Sequence, residues 1–263
     1  MRFIDPHLHQ NLIDDGKLQN LAMSGMDAAI IPTVHTLAGV FHDDAALRLW
    51  DQFLNFELRR AESCGYEAFV SLGIPMYGLS SDAIEECLKQ LPEYIKHERV
   101  VALGEIGLDV GTENEKKLFR AQLRIAKEHN LPVIIHTPIR LAPQAPDVIR
   151  QVVEIIKEEN FDISRAILDH AGESTFDYRI GTGAMVGLSV CIDKMPPEVA
   201  ANYVLSNPDK RDKFVVNSEV ASGEGYFTIP MVILAMKRLG IKRDEIERVV
   251  YENPKKFFNL PID

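Results

Sequence analysis

The sequence is poor in cysteine and tryptophan, has no long apolar run, and carries fewer basic than acidic side chains. Its three cysteines, Cys64, Cys87 and Cys191, are scattered, and no Cys-x-x-Cys occurs. That argues against a disulfide framework and suits a reducing compartment. No stretch approaches the ~20 apolar residues of a membrane span. The first ten residues, MRFIDPHLHQ, lack the apolar core and small-residue cleavage site of a secretory leader. The expectation is a soluble cytoplasmic protein with no membrane partner. Lysine and arginine total 29 against 39 aspartate and glutamate, a formal charge of −10. Such a balance argues against wide, non-specific nucleic-acid binding, which depends on neutralising phosphates with cations. It leaves open a site that handles phosphate through bound metal. Low-complexity linkers and composition shifts are also missing, so residues 1–263 are expected to form one domain.

What is present is a recurring unit, a short β-rich run followed by a helical pattern. The runs are Arg2–Asp5, Ala28–Thr33, Glu67–Gly73, Val100–Glu105, Pro132–His136, Arg165–Asp169, Ala184–Val190 and Phe214–Ser218. Most are nearly all apolar, such as AFVSLGI and VIIH, as expected of strands buried on both faces of a parallel sheet. Amphipathic helices are expected over Asp44–Ser63, Glu113–Asn130, Asp147–Glu158, Glu198–Leu205, Phe227–Leu239 and Asp244–Phe258. Eight β-then-α units in 263 residues predict an α/β fold, a (β/α)8 TIM barrel. An open doubly wound sheet is the alternative, which periodicity does not exclude.

Residues of metal-ligand type sit at the ends of these runs. His7 and His9 lie two apart in extended chain, so both point to one side and can share an ion. A chance pair accounts for them equally well. Glu105 follows an apolar run, where an unpaired carboxylate is costly to bury. Bridging two metals would resolve that cost, and so would a basic partner. His136 and His170 end consecutive runs, and Glu219 ends the last. Each residue alone has an ordinary structural explanation. Four histidines and two carboxylates at the same end of strands 1, 4, 5, 6 and 8 point jointly to a site. Nitrogen and oxygen ligands without thiolate suit Zn, Mn, Co or Ni, and Mg where carboxylates dominate.

These motifs resemble the TatD-like metal-dependent hydrolases of the amidohydrolase superfamily. The matching segments are AspProHisLeuHis (5–9), GlyGluIleGlyLeuAsp (104–109), ProValIleIleHis (132–136), LeuAspHisAlaGly (168–172) and GluAsnProLysLysPhePhe (252–258). The resemblance implies a barrel holding two divalent metal ions. His7, His9 and Glu219 would hold one, His136 and His170 the other, with Glu105 bridging. It further implies hydrolysis by a metal-bridging hydroxide, for which Glu219 would act as general base. Family members cleave phosphodiesters, typically as deoxyribonucleases; superfamily relatives cleave lactones, amides and phosphotriesters. The chain departs from the family pattern in three places. Glu219 stands where aspartate is usual. Pro138 stands where an arginine is common, with Arg140 following. Val110 replaces a frequent aromatic.

The expected function is therefore metal-dependent phosphodiester hydrolysis, on a small phosphoester or a nucleic-acid end. His35 and Arg140 are the candidate substrate contacts. Hydrolysis of a lactone or amide and a non-catalytic metal-binding scaffold are the competing readings. The sequence leaves the oligomeric state open.

Overall fold

A computed structural model describes residues 1–34, 44–138, 142–191, 194–220 and 227–262. The strands are β1 (Phe3–Asp5), β2 (Met26–Pro32), β3 (Glu67–Leu72), β4 (Val100–Gly107), β5 (Val133–His136), β6 (Ala166–Leu168), β7 (Met185–Ser189) and β8 (Phe214–Asn217). They are hydrogen-bonded in chain order, and every pairing is parallel. Just beyond the strand ends, the last rejoins the first. Glu219 donates its backbone N–H to the His7 carbonyl at 2.9 Å, and Ser218 donates its own to the Asp5 carboxylate at 3.1 Å. A doubly wound sheet would leave its edge strands apart. This meeting makes the fold the expected (β/α)8 barrel.

All eight strands fall within two residues of their expected bounds. Alternate residues explain why both faces are apolar. Ile4, Ile30, Phe69, Ala102, Ile134, Ile167, Met185 and Val215 pack in one cluster with Tyr251, Phe258 and Leu260 of the C-terminal segment. Their strand neighbours, among them Phe3, Ile31, Val70, Leu103, Ile135, Leu168, Val186 and Val216, pack with the helices instead. The interior is thus a filled core rather than a pore.

The helices are α1 (Asp15–Met23), α2 (Ala45–Gln52), α3 (Leu58–Cys64), α4 (Ser81–Tyr94), α5 (Glu113–Glu128), α6 (Ala145–Glu158), α7 (Phe176–Ile180), α8 (Pro197–Ser206), α9 (Thr228–Arg238), α10 (Arg243–Glu247) and α11 (Asn253–Phe258). Sequence patterning missed α1, α4 and α7. Helix α4 contains Pro92, and α7 is only five residues long. The helix expected over Asp44–Ser63 is present, but a π turn at Phe53–Glu57 joins α2 to α3. Within it, Glu57 is buried, accepts from Gln10 Nε2 at 2.9 Å, and pairs with Arg60 at 3.1 Å. A π turn carries an extra residue per turn, so it changes which side chains face inward. A similar turn, Arg248–Glu252, joins α10 to α11. No helix among the described residues is long and apolar enough to cross a membrane. Cys64, Cys87 and Cys191 are free thiols.

Candidate metal centre

The parallel sheet carries the carboxyl ends of all its strands to one rim, and the ligand-type residues gather there. His7 and His9 follow β1, Glu105 lies within β4, His136 ends β5, His170 follows β6 and Glu219 follows β8. Strand β4 runs two residues beyond its expected end, so Glu105 is a strand residue rather than a terminal one. His7, Glu105 and His170 are at most 1% exposed, His136 is 2% and His9 is 4%.

Four imidazoles surround the Glu105 carboxylate. Its Oε1 lies 3.7 Å from His7 Nε2, 3.4 Å from His136 Nδ1 and 3.8 Å from His170 Nε2, and its Oε2 lies 3.9 Å from His9 Nε2. Two groups able to hold a metal ion result, His7–His9–Glu105 and Glu105–His136–His170, and Glu105 belongs to both. Most of these spacings are long for hydrogen bonds. They suit atoms that each reach an ion at about 2.0–2.2 Å. The Nε2 atoms of His7 and His9 face each other at 3.2 Å, another spacing that a shared ion explains. Oε2 of Glu219 is buried without a hydrogen-bond partner. Such an atom is rare in a folded protein unless an ion or water completes it. The donor set therefore fits divalent cations.

Supporting contacts fix the rings. His7 Nδ1 lies 2.7 Å from Asp169 Oδ2, which leaves Nε2 for the cluster. Asp169 Oδ1 accepts from Asn217 Nδ2 at 2.8 Å. A Cβ on Gly187 would stand 1.7 Å from that same oxygen, so only glycine leaves Asp169 its place. Nδ1 of His170 meets the Thr137 carbonyl, which likewise turns Nε2 inward. Buried Arg179 spans this floor, donating to the Asp169 carbonyl at 2.9 Å, Thr137 Oγ1 at 2.7 Å and Thr175 Oγ1 at 3.0 Å. Burial holds its guanidinium down at about 9. His170 and Glu219 both adopt left-handed backbone, φ 65° and 47°, which non-glycine residues rarely do. Their N–H groups donate to Ser189 Oγ and to the His7 carbonyl, respectively, and hold them there.

Electrostatics differ between the imidazoles. Burial, with the charges of Lys194 and His136, pushes His170 well below its ordinary value, so its ring is neutral as a ligand must be. Burial acts in the same direction on His136. Its contacts with Asp109 and Glu105 outweigh that and hold it above its ordinary value.

The expected set comes together with one difference. Glu219 belongs to neither ligand group, and its Oε1 lies 3.0 Å from His170 Nε2 rather than joining His7 and His9. The same oxygen pairs with Lys194. His35 and Arg140 lie outside the described residues. Sequence reasoning missed Asp5, Asp169, Asn217, Arg179 and Lys194 as parts of the site. Asp169 carried the same signal as Glu105, a carboxylate within an apolar run. Arg179 and Lys194 lie after β6 and β7, where nothing local marks them.

Two outcomes are expected from these supports. Asp169→Asn should weaken metal binding about 10- to 100-fold, the usual effect of losing a carboxylate behind a ligating histidine. Competition with a chromogenic chelator measures it, and unchanged affinity would remove Asp169 from the site. The second concerns Asp5, whose carboxyl burial pushes up to about 6 against opposing hydrogen bonds from Ser218 and His7. The fold favours its neutral form. That stabilising contribution is complete below the unfolded value near 3.8 and is lost as pH rises through about 6. In metal-free protein, wild type should therefore lose roughly 2–3 kcal/mol relative to Asp5→Asn between about pH 4 and 7. Denaturant titrations at each pH follow the difference.

Known proteins match this chain along its length. The family described as TatD related DNase matches residues 4–216. An uncharacterized metal-dependent hydrolase of Methanocaldococcus jannaschii is 34% identical over 98% of this chain and 100% of its own. An N-acetyltaurine hydrolase of Tetraodon nigroviridis is 28% identical over 62% of this chain and 53% of its own. A TatD-like protein of Archaeoglobus fulgidus superposes with a TM-score of 0.74 at 24% identity, covering 98% of this chain and 100% of that one. The phosphotriesterase homology protein of Escherichia coli, solved with phosphate in its active site, gives 0.74 at 15% identity, covering 98% of each chain. Motifs, barrel and His/Glu cluster agree with these matches, and the chain belongs to the TatD-related family of metal-dependent hydrolases.

Proposed function

We propose that this protein hydrolyses phosphodiester bonds with two divalent ions, taking a small phosphoester or a nucleic-acid end as substrate. The observation that carries the reading is Glu105, buried between two histidine pairs and common to two ligand groups. In this reading His7 and His9 would hold one ion and His136 and His170 the other, with Glu105 available to both. Glu219 would stand beside His170 as the proton acceptor. Four histidines favour Zn, Mn, Co or Ni over Mg. Ions bound there would activate water and polarise the scissile bond.

The chain's own residues do the rest. Glu105 and the imidazoles fix the reacting geometry, since Asp169 and the Thr137 carbonyl lock two of the rings. Oε2 of Glu219, buried and without a hydrogen-bond partner, takes the proton of the attacking water. It then returns that proton to the leaving oxygen. The three free thiols suit a cytoplasmic setting.

Hydrolysis at carbon, of an amide or lactone, is the second reading. The −10 charge favours it, because an extended DNA footprint needs more cations than this chain carries. N-acetyltaurine hydrolases among the relatives and a lactonase from Listeria monocytogenes among the structures of similar fold point the same way.

Metal analysis and side-by-side turnover of an aryl phosphodiester, a lactone and DNA test both. The expected result is two ions per chain, with chelation stopping turnover and metal restoring it, and the phosphodiester cleaved fastest. A faster lactone would select the second reading. A protein that takes up no divalent ion would remove the metal centre.

A further inference from the structure

Lys194 follows β7, and its ammonium pairs with Oε1 of Glu219. Both side chains are largely buried, 13% and 7% exposed. That same Glu219 oxygen lies 3.0 Å from His170 Nε2, so the ammonium pairs with a carboxylate that touches a member of the second ligand group. Lys194 is thus one carboxylate away from the Glu105–His136–His170 group.

Charge determines what it does there. In metal-free protein the ammonium balances the Glu219 carboxylate. A cation on the Glu105–His136–His170 group places a like charge nearby and weakens the hold of Glu219 on Lys194. A lysine stem is flexible and its head is a compact point charge, so it turns to the nearest remaining anion. At a hydrolytic site that anion belongs to the substrate.

We propose that Lys194 is the residue that binds the anionic group of the substrate, through a phosphoryl or carboxylate oxygen, once the metal centre is filled. The proposal rests on the metal-dependent reading above and narrows it to substrates carrying negative charge. Lys194 thereby supplies the cation that position 138, a proline, does not.

The test uses the full chain loaded with metal, with bound metal quantified in every variant. Inorganic phosphate and acetate are titrated calorimetrically into wild type, K194M and K194R. K194M should bind phosphate, acetate or both about 10- to 100-fold more weakly, the worth of one charge-assisted hydrogen bond. Weakened phosphate binding assigns a phosphoryl group, and weakened acetate binding a carboxylate. K194R, which keeps the charge, should restore most of the affinity. In turnover, K194M should raise KM for an anionic aryl phosphodiester by the same factor. The rise in KM for the uncharged triester of the same phenol should be smaller, because that substrate offers no anionic oxygen to Lys194. Equal binding of both anions to K194M and wild type at equal metal content would overturn the proposal alone. A wild-type protein that takes up no metal would overturn the metal centre and this proposal together.

Discussion

Glu105→Gln should empty the centre while leaving the barrel folded. Glu105 is shared by both ligand groups, so one substitution removes a charged ligand from each. Losing a supporting partner of a ligand already weakens binding by about 10- to 100-fold. Loss of the shared ligand should exceed that upper figure, and turnover should fall with it. The metal-free variant should be no less stable than wild type, because glutamine removes a charge from a position only 1% exposed. Metal content, turnover and thermal unfolding together check this. A Glu105→Gln protein that keeps two ions and full turnover would show that Glu105 is a structural carboxylate. A variant that loses metal only because it unfolds would be recognised in the unfolding curve.

Glu219→Gln should lower kcat by about 10²- to 10⁴-fold, the range for losing a positioned proton acceptor. The backbone at Glu219 is held by its own N–H to the His7 carbonyl, an interaction the substitution leaves intact. Glutamine keeps the shape at Oε2 and loses the ability to take a proton. Metal measured alongside kcat separates the two roles of this side chain. A fall in kcat at full occupancy assigns proton transfer, and loss of one ion assigns coordination. Full turnover in Glu219→Gln would place the proton on another group. Glu219→Asp, which shortens the arm to the length usual in the family, should keep more activity than the glutamine variant.

How much was legible in the chain follows from burial. A parallel strand covered on both faces must be apolar along its length, so runs such as VIIH mark themselves. A histidine or glutamate within or beside such a run stands out because burying it needs a partner, which is why the sequence singles out the five residues of the two candidate groups, with Glu219 beside them. Helices were less legible. Pro92 obscured α4, and the π turn at Phe53–Glu57 lay inside a pattern read as one regular helix.

The sequence by itself determined the number and place of the strands and the identity of the side chains at their rim. These depend on local apolar pattern, and pattern survives in one dimension. Only the tertiary structure decided how those side chains are held and shared. His7 meets Asp169 across 162 positions of chain, Glu219 meets both Lys194 and His170, and Arg179 donates to Thr137 Oγ1 beneath them. Each contact joins residues on different strands or loops, brought together when the barrel brings its last strand to its first. Nothing in a local run records which distant carbonyl, carboxylate or ammonium will stand opposite it.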